Sequence, residues 1–392
     1  MLITSSHTID LSPSIRKKGF RQRQVSNSNS HFKQALYRNS RVHRITLGSQ
    51  LRESNIQINT WNSIDLKLVT ELGLPAQIPN SGGFPVTCQL LQLKQGQYFA
   101  LSQTNFVECR SSGEEEADSW FMWNDHPKNA VNMYRALPLP RQSHYILFQE
   151  LWDNGTPGKL WDSALVMNHV FNTLAEVDKH YLCGRRIMDL SAGIGAIGLT
   201  IAQTSQINNI PNPPQIVMTD LEEALPLMKC NQQLNNIPET AVVSIQRLEW
   251  GSVDDINQVM KGHRPFDYIL ISDVLYNTKD FPVLISTFRQ LVEKNRHTVI
   301  IMGYKPRGLK QSEEDLFFDE CRYHLRLETL DLESFARVFF DQSPSTDKKV
   351  AFLKKSKLLQ MTGVCLYKIT HKKSKFRMNY LSNNTTLNNF NH

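Results

Sequence analysis

Asp189-Leu-Ser-Ala-Gly-Ile-Gly195 is the stretch on which the reading of this chain turns. Arg186-Ile-Met-Asp-Leu190 leads into it with the apolar run of a buried strand, and Ala196-Ile-Gly-Leu-Thr-Ile-Ala-Gln203 leaves it as a helix. A strand, a glycine turn and a helix in that order let backbone pass close beneath a ligand, because glycine accepts conformations that a Cβ forbids. Gly193 and Gly195 serve the turn, and Gly198 lets the helix lie near a strand. Taken alone, the turn reads equally as a tight connection that binds nothing.

The flanking segments add to it. Downstream, strands are expected at Gln215–Thr219, Ala241–Ile245, Phe266–Ser272 and His297–Met302, with helices at Leu221–Asn235, Phe281–Glu293 and Asp315–His324. Ala336–Phe340 and Val364–Ile369 close the series as strand candidates. Alternating strand and helix implies a parallel, doubly wound sheet, and strands that are apolar throughout suit a sheet covered on both faces. Upstream, residues 41–140 hold short β-like runs (Arg44–Leu47, Ile56–Ile58, Tyr98–Leu101) broken by prolines and glycines, and an acidic loop at Ser111–Asp118. They read as a β-rich accessory segment. The expected fold class is therefore α/β, a doubly wound Rossmann-like sheet over 141–370 behind an N-terminal β-rich accessory segment.

Open α/β sheets bind ligands beyond the carboxyl ends of their strands. The second strand ends at Asp220, 31 residues after Asp189, and a carboxylate there can accept both ribose hydroxyls of a nucleoside. Asp220 also suits the cap of a helix starting at Leu221. Leu248-Glu-Trp250-Gly251 follows the third strand, where Trp250 flanks an adenine ring or fills the core. The fourth strand ends in Ser272-Asp273-Val-Leu-Tyr276. Asp273 can orient an ammonium group and the Tyr276 ring can hold one by cation–π attraction; the plainer roles are a helix cap for Asp273 and a packing contact for Tyr276.

Charge and composition narrow the class. The net charge is +7, but residues 1–50 carry +8 and residues 371–392 carry +4, which leaves 51–370 at −5. An acidic body is a poor surface for phosphates, so nucleic acid is not the expected partner, and a basic substrate suits it better. Residues 1–40 and 371–392 read as disordered basic tails, the latter Asn-rich; the first shares its composition with a mitochondrial presequence. No apolar run is long enough to span a bilayer. Six scattered cysteines without a CxxC pair speak against zinc and for a reducing compartment, and no metal site is expected among the histidines. Elbow, Walker and zincin motifs are absent from the sequence.

Leu160-Trp161-Asp-Ser-Ala-Leu-Val166, Ile187–Gly195, Val217-Met-Thr-Asp220-Leu-Glu-Glu223, Leu248–Gly251 and Asp267–Tyr276 together resemble the seven-β-strand methyltransferases of family 16, mostly protein-lysine methyltransferases. Within that family they look most similar to the valosin-containing-protein lysine methyltransferase branch. The resemblance spans about residues 141–370. It implies seven strands with Val364–Ile369 inserted antiparallel, S-adenosylmethionine as cofactor, and a cytoplasmic or nuclear enzyme acting on a lysine of a non-histone protein. It implies that Trp161, Asp189, Ser191, Ala192, Gly193, Gly195, Asp220, Trp250 and Ser272 hold the cofactor, and that Asp273 and Tyr276 form the lysine-access site. Without the resemblance, Trp161 reads as the buried start of an amphipathic helix, Trp161–Leu174. Two positions depart from the family: Ser191 stands for the first glycine and Ile194 for a threonine. The alternatives are a small-molecule or RNA methyltransferase on the same fold, and a non-catalytic interaction protein that keeps the fold.

Overall fold

The computed structural model describes strand backbone at 43–47, 66–70, 91–94 and 97–100, and then residues 133–140, 144–151, 155–238, 242–306, 308–340 and 362–372. The expectations for both tails, for Ile56–Ile58 and for Ser111–Asp118 lie outside the described residues.

Seven strands form the central sheet: β7 (Arg186–Leu190), β8 (Gln215–Asp220), β9 (Val243–Arg247), β10 (Tyr268–Ser272), β11 (Val299–Tyr304), β12 (Leu325–Leu330) and β13 (Cys365–His371). Their order is β12-β13-β11-β10-β7-β8-β9. β7 to β11 run parallel, and β13 is inserted antiparallel between β11 and β12. The chain winds outward from β7 through β8 to β9, then returns to place β10 on the other flank of β7. The carboxyl ends of β7 and β10 thus flank the switch point, where such sheets leave a crevice for a ligand.

Both faces are covered. α1 (Asp162–Val177), α2 (Ala196–Ile207) and α3 (Leu225–Leu234) share one core with Ile187, Ile216, Met218, Leu270 and Ile301. α4 (Val253–Met260), α5 (Phe281–Lys294) and α6 (Gln311–His324) share the other with Met188, Leu190, Val217, Ile269, Ile271 and Met302. Adjacent residues of one strand feed opposite cores, so these strands are apolar throughout. Gly198 makes one close approach possible: a Cβ there would stand 2.6 Å from Met218 Cγ and 2.8 Å from its sulfur, so α2 lies directly on β8.

One expected strand is a helix. Ala336–Phe340 falls in α7 (Leu332–Phe339), and the sixth strand is Leu325–Leu330 instead. The Asp331 carboxylate accepts the Ser334 N–H at 2.7 Å and starts the helix. Leu332, Phe335, Ala336 and Phe339 then recur at helical spacing and are buried. The apolar run Phe335–Phe340 concealed that period. α4 also goes beyond the sequence reading, begun by Ser252 Oγ accepting the Asp255 N–H at 3.2 Å.

The accessory segment is antiparallel β. β1 (His43–Leu47) pairs with β2 (Leu66–Thr70), and a four-stranded sheet has the order β3-β4-β6-β5, from β3 (Leu91–Lys94), β4 (Gln97–Ala100), β5 (Met133–Pro138) and β6 (His144–Glu150). β4 meets β6 only at His144 and Tyr145. Beyond that point two asparagines of α3 take the place of a partner strand. Asn235 accepts the Leu147 N–H at 2.9 Å and donates to its carbonyl at 2.6 Å. Asn231 does the same for Gln149, at 2.6 and 3.1 Å. Four helical residues rise about 6 Å and two strand residues about 6.7 Å, so side chains at i and i+4 match alternate strand positions. Replacing Asn235 with Leu orphans two backbone groups in this buried seam, and should cost about 2–4 kcal/mol in denaturant unfolding; a loss under about 1 kcal/mol would show that the seam opens to water.

Candidate cofactor site and active centre

The turn after β7 is shaped by three left-handed residues: Ser191 (φ 59°), Gly193 (φ 56°) and Gly195 (φ 80°). Asp189, at the strand end, faces inward. Its Oδ2 accepts the Gly198 N–H at 2.8 Å, satisfying a donor in the first turn of α2. Burial pushes its carboxyl up to about 7, with the Asp220 charge adding and the Gly198 N–H opposing. Through Oδ2, Asp189 therefore braces the turn from beneath.

Asp220 meets the turn from β8. Its Oδ2 accepts the Gly193 N–H at 2.8 Å and its Oδ1 the Leu221 N–H at 2.8 Å. It does not cap a helix, because α3 begins later, at Leu225, with Ala224 at the cap. Burial raises the carboxyl more than those two N–H groups lower it. Each oxygen takes one backbone donor and retains a lone pair, which is what a pair of vicinal hydroxyls requires. The Ala192 N–H donates to the Thr219 carbonyl at 2.9 Å, fastening the turn to β8. Asn231 donates to the Ile194 carbonyl at 3.0 Å, so the residue that serves β6 also holds this loop.

Trp250, half-buried after β9, donates from Nε1 to Ser191 Oγ at 2.9 Å. The hydroxyl that departs from the family pattern thus fixes the orientation of the indole. Trp161 sits at the N-cap of α1, and its Nε1 donates to the Thr156 carbonyl at 2.9 Å. The short turn Thr156–Gly158 closes over the glycine loop: a Cβ on Gly193 would stand 3.3 Å from the Pro157 carbonyl oxygen. Glu150, at the end of β6, accepts the Leu160 N–H at 2.7 Å and so anchors the peptide just before Trp161.

The end of β10 is bound to α1. Asp273, left-handed at φ 56° and 9% exposed, accepts the Ser163 N–H at 2.7 Å and the Ser163 hydroxyl at 2.5 Å. It acts as a cap, but for a helix 110 residues earlier. Beside it, Lys305 at the end of β11 forms a buried ion pair with Asp162. A Cβ on Gly303 would meet Met167 Sδ at 2.7 Å and Ser163 Cβ at 3.2 Å, so β11 also accepts α1 at close range. Tyr276 is 53% exposed. Its phenol is raised by burial and by the charges of Asp280 and Asp220. Asp273 and Tyr276 are thus divided, the carboxylate under α1 and the ring in solvent. Ser272, half-buried, lies opposite Gly303.

The structure thus gathers Ser191, Ala192, Gly193, Asp220 and Trp250 at the ends of β7 to β9, with Trp161 carried by the segment that closes over Gly193. Ser163, Lys305, Glu150 and Asn231 were not singled out for the site by sequence reading. Ser163 lay inside the Trp-Asp-Ser-Ala motif without a role, and Glu150 and Asn231 carry no local signal. Among the described residues no three or more His, Cys, Asp or Glu side chains are grouped to hold a metal, and no helix is long and apolar enough to cross a membrane.

Residues 140–323 match the family described as lysine methyltransferase. The human protein named histone-arginine methyltransferase METTL23 is 30% identical over 158 residues, which cover 39% of this chain and 75% of that protein. The chain belongs to this family of methyltransferases. The family's cofactor is S-adenosylmethionine, and the glycine turn, the paired lone pairs of Asp220 and the oriented Trp250 fit its nucleoside. The Danio rerio protein N-lysine methyltransferase METTL21A is 26% identical over 195 residues, 49% of this chain and 79% of that protein. A Schizosaccharomyces pombe protein, UPF0665 family protein C23C4.06c, is 30% identical over 165 residues; the matched part is 41% of this chain and about half, 46%, of that relative.

The Asp189 carboxyl gives a test of this arrangement. Folded, it keeps its proton up to about pH 7; unfolded, it loses it near pH 4. The folded state binds more protons between those values, so the contribution to stability falls as pH rises through about 7. Urea unfolding of Asp189→Asn without cofactor should therefore vary less than wild type between about pH 5 and pH 8. Parallel profiles would place the Asp189 charge in water.

Proposed function

We propose that this chain transfers the methyl group of S-adenosylmethionine to the side-chain amine of a lysine in a non-histone protein, in the cytoplasm. The observation that carries the reading is the carboxylate of Asp273, fixed at the end of β10 beside the switch point by Ser163, two residues after Trp161. Both Asp273 oxygens accept from Ser163, and the charge of the carboxylate at the end of β10 suits a compact ammonium. The arginine reading has one observation in its favour, the name of the human relative.

The bound cofactor supplies an electrophilic methyl group. The chain's own residues do the rest. Asp220 and Trp250 position the nucleoside, and the Thr156–Trp161 segment screens the glycine turn from water. Tyr276 offers its face to the incoming amine. Asp273 aligns that amine, and positioning with partial desolvation lowers the barrier. Exposed thiols at Cys183 and Cys365 suit the reducing cytoplasm.

Calorimetry with S-adenosylmethionine tests the cofactor part, and mass spectrometry of the product after acid hydrolysis tests the acceptor. Methyl-lysine in a protein is expected; methyl-arginine would overturn the lysine assignment, and transfer to purified core histones as fast as to other proteins would overturn the non-histone one. Asp220→Asn should weaken cofactor binding by about tenfold or more, since a hydrogen bond to a charged group contributes about 1.5–3 kcal/mol. Asp273→Asn keeps an acceptor for the Ser163 N–H, so folding and cofactor affinity should hold while kcat falls by about 10²- to 10³-fold. Wild-type kcat in that variant would remove Asp273 from the active centre.

A further inference from the structure

Four of the large apolar side chains that stand exposed among the described residues lie just past the carboxyl ends of β8, β9 and β10: Leu221, Val253, Tyr276 and Val283. Isolated exposed apolar residues mean little, whereas a group beside a crevice marks a contact surface. Leu221 adjoins Asp220, the carboxylate that the reading above gives to the nucleoside. The other three reach beyond it. Val253 opens α4 and Val283 the first turn of α5, with the exposed Pro282 between Tyr276 and Val283 in the chain. The two helices are tied together here. The Gly251 N–H donates to Thr287 Oγ1 at 2.8 Å, and a Cβ on Gly251 would stand 3.5 Å from Val283. Val253 and Val283 therefore stand on tied helices, and Tyr276 on the bend after β10.

The rim of this face is acidic. Glu222, Glu223 and Asp254 are exposed, and none of them is paired with a described cation. The nearby Arg247 is already engaged by Asp255 and Glu249, which leaves Lys279 as an exposed base on the loop after β10. Residues 51–370 as a whole carry −5. We propose that the Val253–Tyr276–Val283 face docks a basic, partly apolar segment of the substrate protein, its apolar side chain on the two valines and its cations against Glu222, Glu223 and Asp254. The proposal rests on the protein-methyltransferase reading above and adds to it the place where the acceptor protein is recognised. The two valines and the three acids lie outside the crevice that Tyr276 borders, so docking on them governs affinity for the protein and leaves cofactor affinity alone.

The test uses the full chain and two fluorescent synthetic peptides of equal length, one alternating lysine with leucine and one alternating glutamate with leucine. Anisotropy is read without cofactor, and S-adenosylmethionine binding is measured separately by calorimetry. The lysine peptide should bind and the glutamate peptide should not. Raising salt from about 50 to about 200 mM should weaken the lysine peptide several-fold, since exposed charges are screened over that range. The double variants Val253→Ser/Val283→Ser and Glu222→Lys/Asp254→Lys, all at exposed positions, should each weaken it about fivefold or more, in line with a cost near 1 kcal/mol, with cofactor affinity as in wild type. No binding of the lysine peptide, or binding unchanged in both variants, overturns the docking surface. Self-association of the wild type that the valine variant abolishes would put a second copy on this face and also overturn it. Failure of the wild type to bind S-adenosylmethionine would instead overturn the underlying reading, because the peptide arm does not depend on it.

Discussion

The clasp between Asp273 and Ser163 is the contact on which the rest of the site depends. A carboxylate at the end of β10 takes both the amide and the hydroxyl of a residue in the first turn of α1. That turn carries Trp161 at its cap and runs back through Glu150 to the four-stranded sheet. Beside the clasp, Lys305 and Asp162 form an ion pair that is almost wholly buried. Removing one member of such a pair leaves an unmatched charge in the core at about 3–5 kcal/mol, so the arrangement tolerates little change on either side. Gly303 leaves no room for slack, since a single methyl there would collide with Met167. The candidate site is thus assembled by docking a helix onto strand ends, and the Asp273 carboxylate is positioned by the same contact that positions the helix.

This double use sharpens what Asp273 can do. A carboxylate in water is free to rotate and must be ordered when an amine arrives. Here the left-handed backbone and two short hydrogen bonds have fixed it in advance. Preorganised groups of this kind reorient little during a reaction, which is the source of most of their effect. In the proposed reaction the residue would serve stability and chemistry at once, so a substitution that deletes the side chain would remove both. An isosteric amide separates the two roles, because it keeps an acceptor for the helix and removes the charge.

Much of the fold was legible because its signals are local. The strand–turn–helix at Arg186–Gln203, Asp220 at the end of β8, Trp250 and the Asp273–Tyr276 element all follow from short apolar runs ending in particular residues. The antiparallel insertion of β13 came from the family resemblance, and the register with β11 and β12 agrees with it. What escaped were contacts made at long range. Asn231 and Asn235 look like ordinary polar residues on a helix, yet they close the open side of β6 from some eighty residues away. Phe335–Phe340 looked like a strand because six residues, mostly apolar, do not reveal a helical period; the deciding residue, Asp331, lies before the run. Asp189 and Asp220 were both expected at the cofactor, and the structure gives them different donors: Asp189 accepts from Gly198 in the first turn of α2, Asp220 from Gly193 within the glycine turn.

Ser191 shows how a departure from a family pattern can be structural compensation and not decay. A glycine at that place is the least strained choice for a left-handed turn, and serine there carries a conformational cost of about 1–2 kcal/mol. The hydroxyl offsets that cost by accepting the Trp250 N–H, which would otherwise point at a half-buried surface without a protein partner. The turn and the indole are then one unit: the residue that strains the loop also orients the Trp250 ring. A glycine would relax the backbone and release the tryptophan. Trp161 needs no such help, since Thr156 already holds its indole. The two tryptophans at the rim of the crevice are therefore each fixed through the ring nitrogen, one by a carbonyl of the segment that closes over Gly193 and one by the serine of the turn itself. The glycine turn is held from below by Asp189, from the side by Asp220 and Asn231, and from above by Pro157, which leaves its open face toward the switch point between β7 and β10.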